Sequence, residues 1–216
     1  MNILGIESSS KECSVAITHD NKTHELSAPI NNDSATSLPI ITEELIKKLS
    51  LKFSDLDAIA ISMGPGSFTG LRVALSYAKG LAIALDIPII PISTFDVILF
   101  PHMKDIKDNP ITIIIHSHGN TVYHAKYILK KNDYTLETDP QSLSIQELSK
   151  DNNGTVIYYG PEHLIEDVNN LSKNIFIAQP SVKDLLDKGE SNFDLLKTKS
   201  INNLVPNYIG SFNTGK

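Results

Sequence analysis

Along the chain, the clearest change of pattern comes where a short apolar run stops at a glycine-proline-glycine turn and apolar residues resume with a helical period. Ile59-Ala60-Ile61, within 57–63, predicts a buried strand, and Ser67 opens a long apolar helix running to 85. Upstream, 2–7 and 13–19 read as strands, with Cys13, Val15 and Ile17 on one face and Ser14, Ala16 and Thr18 on the other. Asp20-Asn21 signals a hairpin turn and 22–27 the returning strand. Asp33 or Ser34 opens a helix whose apolar face is Leu38, Ile41, Leu45 and Leu49; Pro39 fits only its first turns or a bend. A short cap at 54–56 precedes the 57–63 strand. After the long helix, 87–92 is a buried strand and Ser93-Thr94 caps a short helix through Phe100. The polar stretch 101–110, broken by prolines, is the expected inter-lobe linker. Beyond it, 111–116 and 122–129 pair as strands around Gly119-Asn120, 142–149 reads as a helix and 155–159 as a strand. The spans 162–171 and 182–188 are helical, with a strand at 175–178 between them. No internal repeat is visible.

The central turn admits two readings. Gly64 and Gly66 permit positive φ or close backbone approach, Pro65 fixes the bend, and Ser67 is a good N-cap. A strand entering a helix through such a turn makes either an anion site or simply a tight connection. No Lys-Ser or Lys-Thr pair follows the glycines, so the turn is not a Walker loop, nor is its spacing that of a dinucleotide fingerprint. The helix then carries Gly70, Ala74, Ala78 and Ala82 at steps of four, with Leu71, Leu75 and Leu85 beside them. Such a row lets another backbone come close. That backbone is the chain's own sheet or a partner's helix.

Composition narrows the classes. With 216 residues, 41% apolar and 20% charged, the chain can bury a real core as one large domain or two small ones. A net charge of −6 argues against a strong stand-alone grip on RNA. The single Cys13 excludes an internal disulfide and reads as a small buried strand residue. Neither a signal segment nor an uninterrupted apolar run of membrane-spanning length is present, so a cytoplasmic location without membrane is expected. His116, His118 and His124 invite a metal reading, but no cysteine or carboxylate accompanies them at ligand spacing.

The longer string Met63-Gly64-Pro65-Gly66-Ser67-Phe68-Thr69-Gly70-Leu71-Arg72-Val73, with Ala78-Lys79-Gly80-Leu81-Ala82 and Pro91-Ile92-Ser93-Thr94, resembles the TsaB (YeaZ) family. That family assists formation of threonylcarbamoyladenosine beside the tRNA anticodon. Ile3-Leu4-Gly5-Ile6-Glu7-Ser8-Ser9 and Cys13-Ser14-Val15-Ala16-Ile17 resemble its opening strands, and Pro206-Asn207-Tyr208-Ile209 its closing Pro-x-Tyr-Leu/Ile. The likeness is close through roughly the first hundred residues and faint afterwards.

The resemblance implies an α/β chain with the actin-like nucleotidase (ASKHA, ribonuclease H-like) fold in two lobes, 1–100 and 101–216. It implies a non-catalytic scaffold or activator that pairs with a TsaD-type transferase through the helices near 34–49 and 67–85. The partner-binding residues so implied are Leu38, Ile41 and Leu45, the stretch Gly64, Pro65, Gly66, Ser67, Phe68, Thr69, Gly70, Leu71 and Arg72, and the row Ala74, Ala78 and Ala82. A TsaE-type ATPase would join the pair, tRNA would be met only through the complex, and the chain alone could pair with itself. No cofactor is implied for the chain by itself; ATP or ADP is left to an interface shared within the complex.

Departures from the family pattern bear on chemistry. The actin-like hairpin usually cups phosphate with an acidic residue and glycines, whereas Glu7-Ser8-Ser9-Ser10-Lys11-Glu12 has no glycine. TsaD, the catalytic relative, carries two metal-binding histidines on the helix after the corresponding strand, and Ser93-Thr94-Phe95-Asp96 has none. The family's histidine at the start of the first helix is Asp33-Ser34 here, its acid and arginine are His116 and His118, and its terminal arginine is Gly210; Arg72 matches. The readings in competition are an actin-like ATPase or small-molecule kinase using the Glu7 hairpin and the Gly64 turn, and a divergent or peptidase-like paralogue.

Overall fold

The computed structural model describes residues 1–20, 22–29, 34–106, 110–130, 133–148 and 154–210. Asn21, Asp33, 107–109 of the expected linker and Ser149 lie outside the described residues. The chain divides into two units, Met1–Val97 with Pro180–Asn207, and Ile98–Gln179 with Tyr208–Lys216.

In the first unit, β1 (Ile3–Glu7), β2 (Glu12–His19) and β3 (Lys22–Pro29) form an antiparallel meander, followed by α1 (Ser34–Lys48), β4 (Ala58–Ser62), α2 (Phe68–Leu85) and β5 (Ile89–Ile92). The sheet order is β3-β2-β1-β4-β5, with β4 parallel to β1 and β5 parallel to β4. Parallel neighbours need crossovers, and α1 and α2 supply them. β1 and β4 are buried at every position, which is why both read as continuous apolar runs rather than alternating ones. On one sheet face Leu4, Ile6, Val15, Ile59 and Ile61 pack with Leu38, Leu45, Ala74, Ala78 and Ala82 of the two helices. Pro39 lies inside α1 rather than ahead of it. α2 has the length and mean apolar composition of a membrane-crossing helix, although Arg72 and Lys79 interrupt its apolar run. Its Gly70, Leu71, Ala74, Leu75, Ala78 and Ala82 are nonetheless buried against its own unit.

Within α3 (Thr94–Leu99) the chain passes into the second unit. There, β6 (Ile111–His118), β7 (Thr121–Lys130) and β8 (Asp133–Leu136) again form an antiparallel meander; β9 (Gln141–Ser144) also pairs with β7. β10 (Thr155–Tyr159), α4 (Ile165–Asn169) and β11 (Asn174–Ile177) follow, in the sheet order β11-β10-β6-β7-β8 with β10 parallel to β6 and β11 parallel to β10. Each sheet is therefore a three-strand meander extended by two parallel strands on its first member. This is a duplication of topology that the sequence does not show.

Three expectations need correction. Residues 142–148, the described part of the expected helix at 142–149, are not an α-helix. They continue as β9, with Leu143 opposite Val122, and close in a 3₁₀ turn at Ile145–Glu147, where Ser144 N donates to Glu147 Oε2 at 2.8 Å and Ile145 is buried. Residues 101–106 of the expected linker are not a linker either: Phe100–His102 is a 3₁₀ turn, Ile106 is buried, and its carbonyl accepts the Tyr134 hydroxyl at 2.7 Å. Finally, the second lobe is not 101–216. α5 (Val182–Ser191) and α6 (Phe193–Leu196) return to the first unit, where Val182, Leu185 and Leu186 cover Ile3, Ala16, Ala58 and Ala60 on the sheet face opposite α1 and α2. A Cβ on Gly5 would stand 2.8 Å from Leu186 Cγ, so β1 is glycine where α5 presses closest.

Candidate partner surface and the turn beneath it

The stretch after β4 is sewn into the first unit by backbone hydrogen bonds. Met63 N donates to Ile92 O at 2.8 Å, Thr94 N to Gly64 O at 2.9 Å, and Asn207 N to Met63 O at 2.7 Å. The Gly64–Pro65 bond is cis and Gly64 has φ 94°. Gly66 is required by proximity: a Cβ there would sit 2.3 Å from Ser9 O, while the next amide, Ser67 N, donates to that oxygen at 2.8 Å. Ser67 is the N-cap of α2, its hydroxyl accepting from Gly70 N at 3.2 Å. Two of the amides that could have gripped an anion, those of Ser67 and Gly70, are thus engaged with the hairpin and the cap. The turn works as a tight connection that sets the direction of α2.

The row Gly70, Ala74, Ala78 and Ala82 faces inward, each alanine fully buried, and Leu71 lies beside it at 2% exposure. Leu38, Ile41 and Leu45 are likewise core residues, and Gly64 and Pro65 are buried. The implied use of these side chains as the partner surface is therefore corrected: the unit's own sheet occupies that face. Small residues were needed there because a helix lying close over β4 leaves no room for longer ones.

α2 keeps a second face. Thr69, Arg72, Ser76, Gly80 and Ile83 are exposed at helical spacing, with Ile83 at 64%. The Arg72 guanidinium lies 3.7 Å over the exposed Phe68 ring. α1, which packs beside α2, exposes Thr36, Ile40, Glu43, Glu44 and Lys47, with Ile40 at 56%. Between the helices the Tyr77 hydroxyl meets Thr42; burial pushes its pKa up, with Glu43 adding to the rise. Among the described residues nothing outside the helix's own backbone lies within 4 Å of where a Gly80 Cβ would stand. Of the residues implied by the resemblance, Phe68, Thr69 and Arg72 are on this surface. Ser76, Gly80 and Ile83 of α2 and Ile40 of α1 were missed, although the complement of the alanine row, stepped by three and four, would have found the three on α2.

At the other end of the same turn lies a buried polar cluster. Glu7, Ser8, Ser9 and Ser62 are 1–4% exposed. Ser9 donates to Glu7 Oε1 through its amide at 2.7 Å and its hydroxyl at 2.5 Å. The Glu7 carboxyl is raised in pKa, by burial first, with the Ser9 and Ser62 contacts opposing.

The three histidines do not converge. His116 Nε2 bonds Gly119 O at 3.0 Å and His118 Nδ1 bonds Ser117 Oγ at 3.1 Å. His124 is lowered in pKa by burial, its contact with Gln141 opposing. Among the described residues no group of three or more His, Cys, Asp or Glu is placed to hold a metal ion.

Known proteins place this geometry. A family model described as TsaD, tRNA N6-adenosine threonylcarbamoyltransferase, matches residues 30–194. A tRNA threonylcarbamoyladenosine biosynthesis protein TsaB from Buchnera aphidicola subsp. Acyrthosiphon pisum is 31% identical over 207 residues, 93% of this chain and 91% of that protein. Its counterpart from subsp. Baizongia pistaciae is 26% identical over 96% of this chain and 97% of its own length. YeaZ from Pseudomonas aeruginosa superposes with a TM-score of 0.79 at 21% identity, covering 96% of this chain and 99% of that one. The duplicated sheets are those of the actin-like nucleotidase fold, and the chain belongs to the TsaB family of tRNA threonylcarbamoyladenosine biosynthesis proteins.

Proposed function

We propose that the chain is a non-catalytic subunit of the machinery that makes threonylcarbamoyladenosine in tRNA, and that it pairs with a TsaD-type transferase through the outer face of α1 and α2. Gly80 carries this reading. A glycine inside a helix costs about 1 kcal/mol relative to alanine, and nothing among the described residues requires one there. A backbone approaching from a second polypeptide would. The exposed Ile83 and Ile40 beside it favour an apolar contact with a polar rim. The chain's part is then to hold the transferase in its working arrangement, with a TsaE-type ATPase joining the pair and tRNA met only by the assembly. The absence of histidine from Ser93-Thr94-Phe95-Asp96 supports leaving catalysis to the partner. Any ATP or ADP belongs, on this reading, to an interface shared within the complex.

The test is co-purification and calorimetric titration of Ile83→Arg against the TsaD-type transferase of the same organism. A charge on this exposed position should leave the melting temperature of the isolated chain within about 2 °C, as surface substitutions do, and abolish pairing. Unchanged affinity would remove the outer face from consideration. ATP turnover by the purified chain alone would favour the actin-like ATPase instead.

A further inference from the structure

We propose that two copies of this chain pair edge to edge through β11, antiparallel about a two-fold axis at Phe176, so that the sheet of the second unit runs on from one copy into the other. β11 ends its sheet, with β10 on one side and no strand on the other. Asn174-Ile175-Phe176-Ile177 and the following Ala178 carry no charge and no proline. Phe176 is 36% exposed and Ile177 59%. Such an edge is a template for another strand, and folded chains ordinarily guard theirs with charge, proline or a cover. The other sheet ends are guarded in this way. β3 carries Lys22, Glu25 and Pro29; β5 has Pro91 and is covered by the backbone pairing of Ile89 with Thr198; β8 opens on Asp133 and is followed by Glu137. Among the described residues β11 is the sheet end left bare.

The direction of the backbone groups picks the register and the occupant. Ala178 N donates to Tyr158 O at 2.9 Å, and Asn174 N donates to Ser172 Oγ, whose own hydrogen goes to Gly154 O just ahead of β10. Backbone groups alternate along a strand, so those of Phe176 also face β10, and the N–H and C=O of Ile175 and Ile177 face outward. A two-fold axis that joins the same edge of two copies runs the strands antiparallel. With Phe176 on the axis, Ile175 of one copy stands opposite Ile177 of the other, and the outward groups of each such pair exchange both hydrogen bonds. Phe176 then meets its own copy at the closer, unbonded position, each ring already 5.1 Å from that of its own His102. A shift of one residue would set outward groups against groups already turned to β10. Centring on Ile175 or Ile177 would set Ile177 opposite Lys173, or Ile175 opposite Gln179. In the Phe176 register Lys173, the nearest charge, falls opposite Gln179, so no like charges meet. A strand from a different protein would need no such symmetry; the self-matching order Ile175-Phe176-Ile177 is what fits a second copy.

A strand this short buries little surface, so the pair is weak and forms at high micromolar protein rather than at trace concentration. It uses no residue of α1 or α2, so it stands or falls separately from pairing with the transferase.

The experiment is sedimentation velocity of the full chain over rising concentration, joined to amide hydrogen exchange read residue by residue. A reversible monomer–dimer equilibrium is expected, with the Ile175 and Ile177 amides slowing as dimer forms and the Phe176 amide, already turned to β10, unchanged. Phe176→Asp sets two carboxylates opposite each other at the axis and should weaken pairing about tenfold or more. Ile177→Pro removes an outward donor without touching the bonds to β10 and should weaken it too, whereas Ile177→Val should not. Ile83→Arg should leave self-association as it is. A chain that stays monomeric at every concentration overturns the proposal. So does a dimer that survives both Phe176→Asp and Ile177→Pro, or one broken by Ile83→Arg instead. Slowing of the two isoleucine amides only when the transferase is added would give the edge to that partner and overturn self-pairing. Should a variant fail to fold, the exchange pattern of the parent chain decides: equal slowing at all three amides, or at none, refutes edge pairing.

Discussion

Gly80→Ala separates what α2 does for its own unit from what its outer face does for a partner. Gly80 is exposed in the middle of an eighteen-residue helix, and the space a methyl group would enter is empty to 4 Å. Alanine therefore loses no contact and recovers about 0.8–1.0 kcal/mol of helix propensity. For a chain of 216 residues that gain raises the melting temperature by about 2–4 °C. Pairing should respond in the opposite sense. If a second backbone lies over Gly80, the added methyl overpacks that contact by about 1–3 kcal/mol, which weakens affinity by roughly 5- to 150-fold. Differential scanning calorimetry of the isolated chain and isothermal titration with the transferase measure the two effects on one preparation. A stabilised chain with unchanged affinity would show that the glycine is not kept for a partner, and the proposed interface would fall. A destabilised chain would mean that the surroundings of α2 are not those described.

Two other substitutions test the inner architecture. Gly66→Ala drives a Cβ into Ser9 O, a backbone atom that cannot swing aside, and should cost about 3 kcal/mol or more in urea unfolding; a loss below about 1 kcal/mol would show that the hairpin and turn separate easily. Ala78→Arg places an unpaired charge at a fully buried position and should unfold the first unit, at a cost above about 4 kcal/mol. Circular dichroism of a folded, soluble Ala78→Arg chain would contradict the inward orientation of the alanine row.

Local chemistry made much of this molecule legible in its sequence. β1 and β4 announce themselves as short apolar runs and β2 by alternation, the Gly64-Pro65-Gly66 turn and the Ser67 cap mark where α2 starts, and the 3.6-residue period of Leu38, Ile41 and Leu45 marks the core face of α1. These signals need only neighbours within a few residues. Gly80 is as visible in the sequence as Ala78, but only the fold shows that one faces open space and the other the sheet. A period can say that a helix has a close-packed side without saying what packs there, because a partner's helix and the unit's own sheet favour the same small residues. Residues 142–144 went to a strand because β7 had an edge to pair, a demand set by residues some twenty positions upstream. The return of α5 to β1 has even less local trace: Gly5 and Leu186 meet across most of the chain's length, and neither carries a mark of the other. The sequence by itself determined the elements of the first unit up to β5, the central turn and the family. The tertiary structure decided which faces were already covered, because burial is settled by whichever surfaces come together, and that depends on the whole path of the chain.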